Sequence, residues 1–349
     1  MNNQKQKKAV ALISGGLDSL LAAKIMQEQG IHVEGINFFT GFCVEGHTHA
    51  IRKKDGAKPK RNNALWCAEQ LDMKLHIIDV IDEYKDVLLK PEFGYGKNMN
   101  PCLDCKIFMV RKAKEWALEN NFDFIITGEV VGQRPMSQRK ETMPIVQNKS
   151  GINDLLLRPL SAKNLPETLP EREGWVDREK LFDFHGRNRK PQMALAQKYG
   201  FIDYATPAGG CCFLTDKKYS DKLIDLWKGR GSREYDFDDI MLLKIGRHIR
   251  PMDHYKLIIS REEGENMFLQ GYTNQFISIK TTSCGGPLTL VDGDATEKDL
   301  ELAASIVARF SQGRDNDKVT VQIKQPRGEA HELEVTPLTS DEVKKEWYV

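Results

Sequence analysis

The chain has 349 residues, of which 40% are hydrophobic and 29% charged, and its formal net charge is +1. That balance builds packed cores and excludes a wholly disordered or fibrous chain, and the length predicts two domains. Near-neutrality excludes a polycation, so any nucleic-acid contact must come from local basic patches; no apolar run reaches the roughly 18–20 residues of a bilayer span.

The opening is basic and then apolar, as a signal peptide would be. The apolar run stops at two glycines, so secretion is rejected and the expected location is the cytoplasm. Residues 9–13 (AVALI) read as a short buried strand, 20–29 as a helix closed by Gly30, and 32–39 as a second strand. This βαβ unit requires a parallel sheet. Residues 51–61 are basic and turn-rich. Helices are expected at 63–71 and 108–119, and strands at 74–80 and 122–127. The alternation predicts a parallel doubly wound α/β domain. Residues 151–175 hold three prolines and read mainly as loop, with helices expected at 191–199 and 219–227. A glycine- and charge-rich stretch at 228–239 marks the boundary, giving domains 1–230 and 231–349. Beyond it, alternating runs at 256–260, 276–280 and 318–324, with a helix at 297–310, predict a smaller α+β domain.

Between the first strand and first helix lies SGGLDS, residues 14–19. Glycines let backbone N–H groups approach a phosphate, and a helix start adds partial positive charge. No Lys follows the glycines, so this is not a Walker loop, and it is not GxGxxG. A plain βα turn capped by Asp18 or Ser19 is the bland alternative. The motif after a first strand resembles the pyrophosphatase loop of the PP-loop ATPases, which have an adenine-nucleotide α-hydrolase-like fold. That resemblance implies ATP with Mg²⁺, and pyrophosphate held by Ser14, Gly15, Gly16, Asp18 and Ser19.

Seven cysteines in a chain with no export signal argue against a disulfide framework. Cys43 and Cys67 lie beside aromatics and read as buried packing residues; Cys284 has no assigned role. NPCLDC (100–105) reads as a loop before a helix, and GGCCFLTD (209–216) as a second loop. Three cysteines from two loops suit either a [4Fe–4S] cluster with one open iron or a catalytic pair with a helper. Both segments resemble the cysteine loops of the tRNA 2-thiouridylase family. By that resemblance Cys105 is a nucleophile, Cys102 stands where some members have Asp, and the second catalytic cysteine is Cys211 or Cys212. The same four cysteines are the candidate cluster ligands.

TGEVVGQ (127–133) and RPLSAKN (158–164) resemble segments of tRNA 4-thiouridine synthetase, which implies Gly128, Glu129 and Gln133 near the nucleotide. The combination implies a tRNA-uridine thiolase that adenylates a uridine carbonyl and replaces its oxygen with sulfur from a donor such as a cysteine desulfurase, relay protein or sulfide. The RNA backbone would be met by Lys53, Lys54, Lys60 and Arg61, and by Arg187, Arg189 and Lys190, unless these are ordinary solvated charges. The second domain is similar to the NFACT-R domain, associated with RNA; a dimerisation or lid role is the alternative. A PP-loop ligase acting on a small molecule, or a non-catalytic RNA-binding protein with a relict loop, are the competing readings.

Overall fold

The computed structural model describes residues 6–44, 61–205 and 211–349. They form two units, one ending at Thr215 and the other starting at Asp216. Helix Lys217–Arg230 belongs to the second unit.

In the first unit five parallel strands run in the order β3-β2-β1-β4-β5. They are β1 (Lys8–Leu12), β2 (His32–Phe39), β3 (Leu75–Asp79), β4 (Phe124–Thr127) and β5 (Leu156–Leu157). Ala9 and Ala11 point into one buried cluster and Val10 into the other. Alternation between two covered faces is what a doubly wound sheet demands. The first face is covered by α1 (Leu17–Gln27) and α2 (Asn63–Gln70); α3 (Ile81–Leu89), α4 (Cys102–Glu119), α5 (Thr142–Ser150) and α6 (Lys190–Lys198) complete the helices used below.

Several elements begin where local pattern did not place them. Helix α1 starts at Leu17, not residue 20, because buried Leu17 anchors a first turn that the glycines conceal. Helix α4 starts at Cys102, not residue 108. Leu103, Ile107 and Val110 are all buried, so the helical face extends back to Pro101. Cys102 and Cys105 therefore lie in the first turns of a helix rather than in a loop before it. Helix α3 and the two-residue β5 were not foreseen; β5 is too short to show a period.

A buried polar cluster sits just beyond β4. Arg158, the largest fully buried side chain, donates from Nε to Glu129 Oε2 at 3.2 Å and from a terminal nitrogen to Gln147 Oε1 at 3.1 Å. Thr127 Oγ1 donates to the same Glu129 oxygen at 2.9 Å, and Lys106 Nζ lies 3.7 Å from Oε1. Burial raises the carboxyl's pKa, but Lys106, Arg158 and the hydrogen bonds outweigh it and hold Glu129 below the usual range.

The second unit is a six-stranded antiparallel sheet ordered β11-β10-β8-β9-β7-β6. Its strands are β6 (Arg247–Met252), β7 (Tyr255–Ile259), β8 (Ile277–Thr281), β9 (Thr289–Gly293), β10 (Val319–Lys324) and β11 (Ala330–Val335). Helix Glu297–Arg309 packs its buried Leu300, Ala303, Ala304 and Val307 on the sheet.

Truncating Arg158 to Ala leaves a buried carboxylate without the cation that hydrogen-bonds it. The expected cost is about 3–5 kcal/mol, read as a lower urea midpoint for the first unit's unfolding. Because Glu129 is depressed, its contribution exists above the unfolded carboxyl pKa and is lost as pH falls through the folded one. The Arg158→Ala deficit should therefore shrink in acid; a deficit independent of pH would contradict the pairing.

Candidate active site

Strand β1 pairs with β2 on one side and β4 on the other, so the chain order reverses there. Ligands of open α/β sheets bind at that switch point, outside the carboxyl ends of the strands. SGGLDS follows β1, and Gly128 and Glu129 follow β4.

Gly15 holds φ +78°, and a Cβ there would stand 2.9 Å from Ala64 N and Asn63 Cβ. Only glycine suits both the angle and the close approach. Gly16 caps α1 without a side-chain hydrogen bond, leaving the first amides of the helix open to an anion. Ser19 is buried and donates to Gly16 O at 2.8 Å; Ser14 is exposed, its Oγ 3.5 Å from Ser19 Oγ. A Cβ on Gly128 would lie 2.4 Å from the Asp18 carbonyl, so β4 can approach the loop only through glycine.

Asp18 accepts from Gln133 Nε2 at 2.7 Å and pairs with Arg189 at 3.2 Å; Gln192 Nε2 donates to Gln133 Oε1 at 2.9 Å. Burial raises the Asp18 pKa, and Arg189, Gln133 and Arg134 offset this only in part. Its Oδ1 is buried with no hydrogen-bond partner. An orphaned carboxylate oxygen beside an anion cradle fits a divalent cation.

The cysteines form the second half of the edge. Phe213 N donates to Phe42 O at 2.9 Å and Val44 N to Cys211 O at 3.3 Å, which makes Cys43 and Cys212 an antiparallel bridge pair. Cys212 Sγ accepts from Leu214 N at 3.3 Å. Cys102 donates to Ser137 Oγ at 3.4 Å. Tyr84, buried in α3, donates a hydrogen bond to Cys105. A helix start ordinarily favours a thiolate. Here burial pushes the Cys105 thiol up to about 12; the Tyr84 hydrogen bond and Lys106 pull it down, and Cys211 and Cys102 push it further up. Burial also raises Cys212, with Cys211, Cys105 and Cys43 adding to the rise. Cys211 is exposed.

Residues 4–165 match the family model described as thiamine biosynthesis protein (ThiI), and residues 246–348 the model described as NFACT protein RNA binding domain. The chain is thus similar to ThiI in its first part and to the NFACT RNA-binding domain in its last part. Curated relatives include a tRNA-specific 2-thiouridylase MnmA of Colwellia psychrerythraea, 28% identical over 63% of this chain and 55% of that protein. Another MnmA, from Petrotoga mobilis, is 34% identical over 35% of each chain. The chain thus spans about half the length of the first of these. A solved 4-thiouridine synthetase–RNA complex with bound ATP aligns at 21% identity, covering 60% of this chain and 46% of that one, with a TM-score of 0.38.

The first unit distributes the expected site residues unevenly. Ser14, Gly15, Gly16, Asp18 and Ser19 stand at the switch point with Gly128 and Gln133. Glu129 is instead tied up in the ion pair with Arg158. Arg189 lies at Asp18, whereas Arg187 and Lys190 are exposed. Arg61 forms a bidentate pair with Asp203 and stacks on Trp66. Lys53, Lys54, Lys60, Gly209 and Gly210 lie outside the described residues. Sequence reasoning missed Tyr84 and took Cys43 for packing. The available signal was position: GFC directly follows β2, at the same carboxyl edge as SGGLDS.

At pH 8 a thiol at about 12 is ionised to about one part in ten thousand. Iodoacetamide with peptide mass mapping should label exposed Cys211 roughly 100-fold faster than Cys105 or more. Faster labelling of Cys105 would contradict the burial of its sulfur.

Proposed function

We propose that this chain is an ATP-dependent tRNA sulfurtransferase. The observation that carries the reading is covalent and electrostatic continuity between two sites on one sheet edge. Cys105 adjoins Lys106, which pairs with Glu129, and Gly128 next to Glu129 packs against Asp18 of the phosphate loop. Nucleotide and sulfur chemistry are thereby held in one frame. The ThiI match and the MnmA relatives support the same reading.

In this account ATP lays its phosphates on the amides of Leu17, Asp18 and Ser19. Asp18 would hold Mg²⁺, which would neutralise charge on the departing pyrophosphate. A uridine carbonyl oxygen attacks the α-phosphorus, and the bond to the bridging oxygen of the β-phosphate breaks. A persulfide on Cys212 then attacks the activated ring carbon, and AMP leaves with the oxygen. The Cys105 thiolate attacks Cys212 Sγ. The thiolated base departs and a Cys105–Cys212 disulfide remains, to be reduced by an external dithiol. Tyr84 keeps its proton, since its own pKa lies well above the usual range, and so remains a donor to Cys105 sulfur.

A [4Fe–4S] cluster is the alternative sulfur carrier. Among the described residues no three Cys, His, Asp or Glu side chains stand together as a metal-holding group. A cluster would require the Cys102 thiol to lose the proton that it donates to Ser137 Oγ. The account uses the persulfide, and no step is derived through iron.

For tRNA the second unit offers a hollow of about 620 Å³ lined by Arg247, Arg261, Arg309 and Arg314. Lys256 is not among them: it is buried between Asp225 and Asp292. Arg187 and Lys190 add cations on the first unit. Replacing Arg314 by Ala should weaken tRNA binding and reduce the salt slope by about 1; an unchanged slope would remove it from the backbone contact.

The decisive test is single-turnover, tRNA-dependent AMP and pyrophosphate release from ATP, with enzyme preloaded with inorganic polysulfide as the source of persulfide sulfur. Wild type should release both and form thiouridine. Cys105→Ser should bind ATP normally yet form no thiouridine above background. Full thiolation by that variant, or none by wild type, would overturn the proposal.

A further inference from the structure

Cys43 has the surroundings of a reacting thiol rather than of core. It follows β2 at the carboxyl edge, is only half-buried, and lies 3.4 Å from Thr40 Oγ1 and 3.8 Å from Phe38 O through its sulfur. More telling is the backbone. The two hydrogen bonds that define its bridge to Cys212 connect the flanking residues, 42 with 213 and 44 with 211. Cys43 and Cys212 are therefore a non-hydrogen-bonded antiparallel pair. In such pairs the Cα atoms are roughly 4.5 Å apart and the side chains approach most closely. Disulfides span about 4.4–6.8 Å between Cα atoms. Tyr84 also lies in the electrostatic field of Cys43, Cys105 and Cys212 together.

We infer that Cys43 is a third thiol of the sulfur-transfer site, one that takes over Cys212 in a disulfide and frees Cys105 for the next turnover. The inference rests on the proposed sulfur-transfer reading. The Cys43 thiolate attacks Cys212 Sγ in the Cys105–Cys212 disulfide. A Cys43–Cys212 bond forms, the Cys105–Cys212 bond breaks, and Cys105 leaves with the electron pair as thiolate. The exchange consumes no oxidant, and the disulfide returns to two thiols by two-electron reduction with an external dithiol. Cys212 is the shared partner, which matches its bridge to Cys43 and its electrostatic interaction with Cys105.

The test uses the full chain without tRNA. Reduced protein is loaded with inorganic polysulfide, quenched with iodoacetamide, and digested without reduction for mass mapping. Wild type should yield a Cys43–Cys212 cross-linked peptide with matching loss of alkylated Cys43. In Cys43→Ser the cross-link to Cys212 should run only to Cys105. Fully alkylated Cys43 in loaded wild type, with Cys105–Cys212 as the cross-link found, would overturn the inference while leaving the sulfurtransferase reading intact. Absence of tRNA thiolation by wild type would sink that reading instead, whatever the disulfide map.

Discussion

The first unit depends on one buried carboxylate. Glu129 lies at the end of β4 and is held by Arg158 from beyond β5 and by Lys106 from the first turns of α4. Uncompensated, that charge would be expelled from the core or protonated. Paired, it fixes three segments at once: the turn whose Gly128 abuts the phosphate loop, the helix start that carries Cys102 and Cys105, and the strand edge at β5. An apolar substitute could fill the same volume. It could not orient α4 against β4 with the directionality of a two-sided ion pair.

That constraint explains why TGE and RPL segments resemble parts of a nucleotide site yet do different work. Gly128 contributes by having no side chain, and Gln133 by ordering Asp18. Glu129 and Arg158 hold the frame. The alternation of strands and helices was legible because both faces of β1 are apolar. The starts of α1 and α4 were not, because glycine and proline interrupt the period where the tertiary core takes over. Cys43 illustrates the same boundary. Its neighbours Phe42 and Gly41 look like packing, and only pairing with a segment some 170 residues on brings it to Cys212. Arg189 likewise reads as one of several loop cations until the fold sets it against Asp18.

Burial shapes the sulfur chemistry. A cluster of thiols cannot all ionise, since each anion disfavours the next. The site keeps Cys105 and Cys212 protonated at rest and supplies Tyr84 and Leu214 N as donors for whichever sulfur becomes anionic. Cys211 is the exposed thiol of the group. In the second unit the charges divide differently: Lys256 is neutralised inside, and arginines line the open hollow.

The central claim is that phosphate loop and cysteine centre serve one reaction on tRNA. Nucleoside mass spectrometry of total tRNA from cells with the gene deleted, and from the same cells complemented with wild type or Cys105→Ser, tests it most directly. The account predicts that one thiolated uridine disappears on deletion, returns with wild type and does not return with the variant. An unchanged set of thionucleosides across all of these strains would contradict it.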